Sequence, residues 1–352
     1  MKKERFKRIL ALVLLVSLAL SSVGCSKKGD DKVTNDVKSQ PQQSTTITMR
    51  LATSVQPNHP MNLAALEFAR LVEEKSDGRM KIDVYAGRQL GQDNEVAEMV
   101  MQGSLDFVEI SAIIFSNYTD LANAWQMPFV FTDMEQYRKT IKSEENHALL
   151  DGITDLNLGI KALAIYNTGF RHIVVTNAPV LSIEGMRNLK IRTAESSMFL
   201  DMFKAIGAAP TPMAYGEVYS GLQNKVVDAC EADYSAIYLE KFFEVTSSMT
   251  ELKHFMWPGL LAVNQERFNS LSKEDQKIIV EAANEAIDYN VDNIIESEKY
   301  YKDLLMKEGY EANKISEEEL QKFQEAVAPV IEKYSKVDSR ISDFIDEAIR
   351  NR

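Results

Sequence analysis

The stretch Leu189–Tyr234, LKIRTAESSMFLDMFKAIGAAPTPMAYGEVYSGLQNKVVDACEADY, decides the fold. Leu189–Thr193 reads as a short strand, and Ser197–Ile206 as an amphipathic helix. Gly207 then stops that helix, as a glycine able to enter the left-handed region does. Pro210 and Pro212 stiffen a crossing to a second helix near Gly216–Asn224, after which the β-branched pair Val226–Val227 reads as strand. Strand and helix in alternation predict a parallel α/β sheet, whose ligand crevices lie beyond the carboxyl ends of the strands. Arg192 stands at such an end.

Upstream, Thr46–Thr53 alternates as a strand, Asn62–Lys75 has a helical apolar face closed by Asp77-Gly78, and Met80–Ala86 alternates again, an opening β-α-β unit. A turn at Arg88–Gly91, a helix near Asn94–Gln102 and a strand at Leu105–Ser111 follow. Lys161–Asn167 and His172–Thr176 flank a turn at Gly169-Phe170-Arg171. Downstream, Tyr234–Val245 reads as a helix and Glu251–Trp257 as a strand, with a break at Pro258-Gly259. From Ser272 the pattern is almost wholly helical. Ser272…Asp275 and Ser316…Glu319 have the capping-box form, and the Glu- and Lys-rich positions read as solvated faces.

The 352 residues have ordinary globular composition, 45% hydrophobic and 26% charged, which allows one large or two medium domains. MKKERFKR is basic, and Ile9–Leu20 is an apolar run suited to a secretory segment but too short to span a bilayer. Ser-Val-Gly-Cys25 resembles a bacterial lipobox, with Ser22 where the pattern usually has Leu. Lipidation of Cys25 would anchor the chain to the bilayer. Residues 27–44 are polar, without aromatics, and read as a disordered tether. Only Cys230 then remains, most simply a small buried hydrophobe. The net charge is −12. Removing the five basic residues and one acid before Cys25 leaves 35 basic against 51 acidic residues, or −16. Such a balance disfavours nucleic acid, and an anion would need a local cationic site.

The run LKIR…ES…GA.PTPMA.GEVY..LQ…VDA.E resembles the solute-binding subunits of tripartite ATP-independent periplasmic (TRAP) transporters, the DctP family. RQLGQDNE, MQGSLDF and Met127–Phe131 are similar to further family segments. The resemblance implies a two-lobed α/β fold of the periplasmic-binding-protein type, with a hinge and long C-terminal helices. It divides the chain into a lipoprotein signal segment (1–24), the lipidated Cys25 with its tether (25–44), lobe one (45–168 plus about 257–296) and lobe two (169–256 plus about 297–352). It also implies an extracytoplasmic location, a small organic acid as ligand, membrane permease subunits as partners and no cofactor.

Arg192 and Arg171 match positions that grip the ligand carboxylate in the family. A guanidinium suits that task because it forms two parallel hydrogen bonds in a plane; the plainer reading of either Arg is an interlobe salt bridge. Tyr215 matches an aromatic lying against the ligand, with core packing as its alternative. Glu95 and Ser111 match first-lobe positions that face the cleft in some relatives, and His59 sits in a turn that reaches toward it. Sialic-acid-binding relatives carry an Asn where this chain has Ala232, while Asp233 adds an acceptor for ligand hydroxyls. A sugar acid of the uronate type is thereby placed narrowly ahead of a C4-dicarboxylate. Enzymatic signals are weak: His59, His147, His172 and His254 share no metal-binding spacing, and no nucleophile elbow is present. A ligand-sensing protein serving a receptor kinase would have the same fold and site.

Overall fold

The computed structural model describes residues 46–352; the secretory segment, Cys25 and the tether lie outside the described residues. The chain enters through β1 (Ile47–Thr53), α1 (Pro60–Lys75), β2 (Met80–Tyr85), α2 (Asp93–Met101) and β3 (Phe107–Ser111). β1 pairs in parallel with both β2 and β3, the opening β-α-β unit. Helix α1 ends where Asp77 and Gly78 take φ of 50° and 75°. Two 3-10 turns, Ala112–Asn117 and Asp120–Gln126, lead to α3 (Met134–Ile141), α4 (Glu144–Asp155) and β4 (Ile160–Phe170).

Only Arg171 separates β4 from β5 (His172–Val175), which starts a second sheet. There follow β6 (Lys190–Thr193), α5 (Ser197–Ala205), β7 (Ala209–Pro212), α6 (Val218–Gln223), β8 (Ala229–Ala232), α7 (Tyr234–Leu239) and β9 (Ser248–Glu251). Gly207 closes α5 at φ 87°, its N–H donating to the Lys204 carbonyl and that of Ala208 to Phe203, both at 2.9 Å. β10 (Met256–Asn264) returns to the first sheet. Then come α8 (Gln265–Asn269), α9 (Lys273–Lys307), β11 (Glu311–Lys314), α10 (Glu317–Ser335) and α11 (Ser339–Arg350). The first sheet runs β2-β1-β3-β10-β4 and the second β11-β9-β5-β8-β6-β7, one per lobe.

Four connections join the lobes: the β4–β5 and β9–β10 crossings, helix α9, and the return through α10 to α11. The β4–β5 and β9–β10 crossings are tied where the Arg171 N–H donates to the Phe255 carbonyl at 2.8 Å. Helix α9, 35 residues and so about 52 Å long, packs on α1 and β4 of lobe one and on α7 and β11 of lobe two. Asn290 fixes it to lobe one, accepting from the Asn167 N–H at 2.9 Å and donating to its carbonyl at 3.1 Å.

Four local expectations are corrected. Pro210 and Pro212 lie in β7, which pairs only with β6; an edge strand tolerates residues without an N–H. Val226–Val227 belongs to the turn before β8, because Lys225 takes φ 56°. Glu251–Trp257 is split between β9 and β10 by residues 252–255, and Pro258-Gly259 lies within β10, where a register shift between Met256 and Pro258 accommodates the proline. Finally, α11 packs on lobe one instead of lobe two. Its buried stripe Ile341, Phe344, Ile345 and Ala348 meets Phe131, whose ring lies 6.2 Å from that of Phe344, and Gln136 donates to the Ala348 carbonyl at 2.7 Å.

Candidate functional site

Two adjoining cavities of about 370 and 320 Å³ share Asp93, Ser111, Tyr215 and Trp257 in their linings, and together form one cleft between the lobes. It lies beyond the ends of β1, β3 and β6, where an α/β sheet presents ligand crevices.

Lobe two contributes two buried guanidiniums of unequal freedom. Arg171, at the crossing, is engaged at all three nitrogens: Nε donates to Glu231 Oε2 at 2.5 Å, Nη2 to the Glu231 carbonyl at 2.7 Å, and Nη1 to Asp233. Trp257 covers it, with the ring centre 4.8 Å from Cζ. Arg192, only 3% exposed, has one hydrogen bond, Nε to the Met213 carbonyl at 3.0 Å. Its Nη1 stands 3.5 Å from Glu231 Oε1, too long and misaligned for a hydrogen bond. Burial pulls the Arg192 guanidinium below its ordinary range despite the opposing field of Glu231. This desolvated charge, with donors left over at the cavity wall, is the group most in need of an anionic partner.

Lobe one presents a different surface. Asp93, at the start of α2, lines both cavities with Oδ1 covered and unpartnered. Burial raises its pKa, against the pull of Ser54, Arg192 and Arg88. The hydroxyls of Ser111 and Thr168 also line the cleft and also lack partners. Behind them Glu109 is fully buried with neither carboxylate oxygen hydrogen-bonded. A Cβ added at Gly259 would meet Glu109 Oε1 at 3.1 Å and the sulfur of the cleft-lining Met61 at 2.9 Å, so glycine leaves room for both side chains. Burial holds Glu109 well above the carboxylate range and so favours its neutral form.

Direct contacts clasp the lobes around the cleft. Arg88 donates to both oxygens of Glu240 at 3.1 and 2.9 Å and to the Ser54 carbonyl at 2.7 Å. Asn94 donates to Glu195 at 3.0 Å, and Ser196 to Gln126 at 3.1 Å. Any side chain at position 216 would drive its Cβ to 2.6 Å from Gln92 Nε2, so glycine permits this close approach.

Of the residues singled out in the sequence, Arg192, Arg171, Tyr215, Ser111 and His59 line the cleft. Tyr215 lies under two guanidiniums, 5.8 Å from Arg192 and 5.4 Å from Arg88. His59 caps α1, its Nδ1 accepting from the Met61 N–H at 3.2 Å, while Nε2 lies 3.3 Å from Ser235 Oγ across the interlobe boundary. Burial lowers its pKa despite Asp233 nearby, so the ring is neutral. Two placements correct the expectation. Glu95 turns back on its own helix to accept from the Gln92 N–H at 2.8 Å, a capping contact that takes it out of the cleft. Asp233 is no free acceptor for hydroxyls: Oδ1 takes the Ser235 hydroxyl at 2.5 Å and the Ala236 N–H at 2.9 Å, and Oδ2 takes Arg171. Burial would raise its pKa, but Arg171 and these donors outweigh that and keep it below the usual range. Sequence reasoning missed Asp93, Trp257, Thr168 and Glu231. Glu231 stands next to Ala232 in the segment already quoted, but no local pattern marks it as the partner of two buried arginines.

The DctP family model, bacterial extracellular solute-binding protein, family 7, matches residues 51–337. The 2,3-diketo-L-gulonate-binding periplasmic protein YiaO of Escherichia coli (strain K12) is 29% identical over 267 residues, 75% of this chain and 80% of that protein. The C4-dicarboxylate-binding protein DctB of Bacillus subtilis (strain 168) is 27% identical over 303 residues, 84% of each chain. A TRAP periplasmic solute binding protein from Bradyrhizobium sp. BTAi1, crystallised with galacturonate, superposes with a TM-score of 0.81 at 26% identity over 86% of this chain and 99% of that one. With the two sheets, the spanning helix and the interlobe cleft described above, the match over most of its length makes this chain a member of the DctP family of bacterial extracellular solute-binding proteins.

Proposed function

We propose that this protein captures a small organic acid anion outside the cytoplasm and delivers it to the membrane subunits of a TRAP transporter. The observation that carries the reading is Arg192, a buried guanidinium at the cavity wall with a single hydrogen bond. A carboxylate would occupy its free Nη donors, and closure of the lobes would strengthen that contact by excluding water. A hydroxylated monocarboxylate such as a uronate is favoured over a C4-dicarboxylate. Lobe one offers the cleft the Asp93 carboxyl and the Ser111 and Thr168 hydroxyls, which pair with ligand hydroxyls, and the Asp93 carboxylate repels a second carboxylate. The sugar acids bound by two of the relatives are of this class.

Calorimetric titration with D-galacturonate, D-glucuronate and succinate tests the reading, with mass spectrometry of the recovered ligand. The expected outcome is 1:1 binding of a uronate, returned unaltered, with succinate weaker. Binding of none of these acids, or turnover of any, would overturn it. Lipid attachment at Cys25 is part of the same proposal: among the described residues no helix is long and apolar enough to cross a membrane, and the lipobox-like Ser-Val-Gly-Cys25 offers an anchor. Cys25→Ala should then move the chain from the membrane fraction to the soluble one, and an unchanged distribution would exclude the anchor.

A further inference from the structure

Side chains alternate across an extended backbone, and at the β4–β5 crossing this sends neighbours to opposite sides of the hinge. Arg171 lines the ligand cleft, while His172 lines a separate, open cavity of about 730 Å³. Four ammonium groups surround this rear cavity: Lys253 from the β9–β10 crossing, Lys299 and Lys302 from α9, and Lys314 at the end of β11. Of its two carboxylates, Glu251 is ion-paired and Glu298 has one long backbone contact. Glu251 accepts from Lys302 at 2.5 Å and from the Tyr234 hydroxyl, and Glu298 faces the Phe170 N–H at 3.4 Å. Lys253, Lys299 and Lys314 have no carboxylate partner among the described residues. The cavity thus carries two excess positive charges in a chain whose net charge is −12. His172 is 1% exposed, and neither of its ring nitrogens has a hydrogen-bond partner. A buried imidazole with an idle N–H at the edge of a basic cavity is a donor awaiting an acceptor.

We infer that this rear cavity binds a multivalent oxyanion of the phosphate class, at a site separate from the carboxylate-binding cleft. The donor types distinguish the two. The cleft offers guanidiniums, whose planar fork matches a carboxylate, whereas the rear cavity offers rotatable ammonium point donors and an imidazole, which suit a compact tetrahedral anion approached from several directions. The donors come from the β4–β5 crossing, the β9–β10 crossing and the spanning helix α9, so an anion held there links these hinge segments to one another.

The test is titration of the full-length chain with inorganic phosphate at constant ionic strength, chloride being the replaced ion. Binding is followed by calorimetry and by the nitrogen resonances of the His172 ring. Saturable 1:1 binding with a Kd of about 1 mM or tighter is expected, with the His172 ring nitrogens shifting along the same curve. Lys299→Gln/Lys314→Gln removes two exposed ammoniums and should weaken binding about tenfold, leaving the melting temperature in chloride unchanged. Absence of saturation, equal phosphate affinity in the double variant, or an unmoved His172 would each overturn the assignment.

Discussion

On the lobe-two wall of the cleft nearly every buried charge has a partner: Arg171 holds Glu231 and Asp233, Asp233 caps α7, and Glu231 reaches toward Arg192. Across the gap, lobe one leaves Asp93 Oδ1, both oxygens of Glu109 and the hydroxyls of Ser111 and Thr168 without partners. Buried polar groups are rarely orphaned, so the contrast is informative. Lobe two is organised before any ligand arrives, its under-used groups being Arg192 and the Glu231 Oε1 beside it. Lobe one is completed by what enters the cleft. A ligand gripped through its carboxylate by lobe two and through hydroxyls by lobe one would join the two halves.

The largest expected effect follows from removing the under-used guanidinium. Arg192→Ala should weaken uronate binding by about 3 kcal/mol or more, over a hundredfold, because it deletes the charged donors and leaves a buried carboxylate facing Glu231. Calorimetry at neutral pH measures it. A variant that binds as the parent does would mean that the carboxylate is held elsewhere, and the asymmetry between the walls would lose its functional meaning.

A second, intermediate effect concerns stability and sharpens the account of lobe one. Glu109 has its pKa raised well above the ordinary 4.5 by burial. The folded chain therefore keeps a proton that the unfolded chain releases, and this contribution to stability declines as pH rises above 4.5 until the folded pKa is reached. Glu109→Gln carries no such proton. Relative to the parent, the variant should gain about 1.4 kcal/mol per pH unit across that window, with the advantage fading toward pH 4.5. Chemical denaturation at several pH values reads the slope directly. A difference independent of pH would show that Glu109 is ionised, with a partner on the lobe-one wall still to be found.

The two walls were also unequally legible in the sequence. Arg192 could be located because a strand end, a helix and a glycine stop are local patterns, whereas Tyr215, in the same continuous segment, was marked by the family resemblance. Asp93 and Trp257 approach the cleft from segments far apart in the chain, and no local spacing reveals that they meet. Glu109 is concealed by its strand: an acid in Phe107–Ser111 suggests a solvent-facing position, yet the strand is buried on both faces between β1 and β10. Glu95 misled for the opposite reason. An acid three residues into the capping box of α2 serves the helix terminus first. Helix α11 displays its apolar stripe plainly, but periodicity tells which face is buried and not against which lobe.

The smallest effect tests whether the walls are joined by the ligand or by the protein itself. Arg88 and Glu240 form a clasp across the mouth of the cleft, with side chains 16% and 12% exposed. Arg88→Met leaves Glu240 with only the weak Gln56 contact at 3.3 Å. A partly exposed pair of this kind contributes about 1 kcal/mol, so uronate affinity should fall about fivefold, mainly through faster release as the closed form loses one interlobe tie. Arg88→Met/Glu240→Met removes the stranded carboxylate as well and should recover part of that loss, because the single variant includes the penalty of an unpaired acid. Stopped-flow release rates for the parent and both variants separate the contributions. If Arg88→Met weakened binding more than Arg192→Ala, the clasp and not the ligand would hold the lobes together, and the unpartnered groups of lobe one would need another explanation.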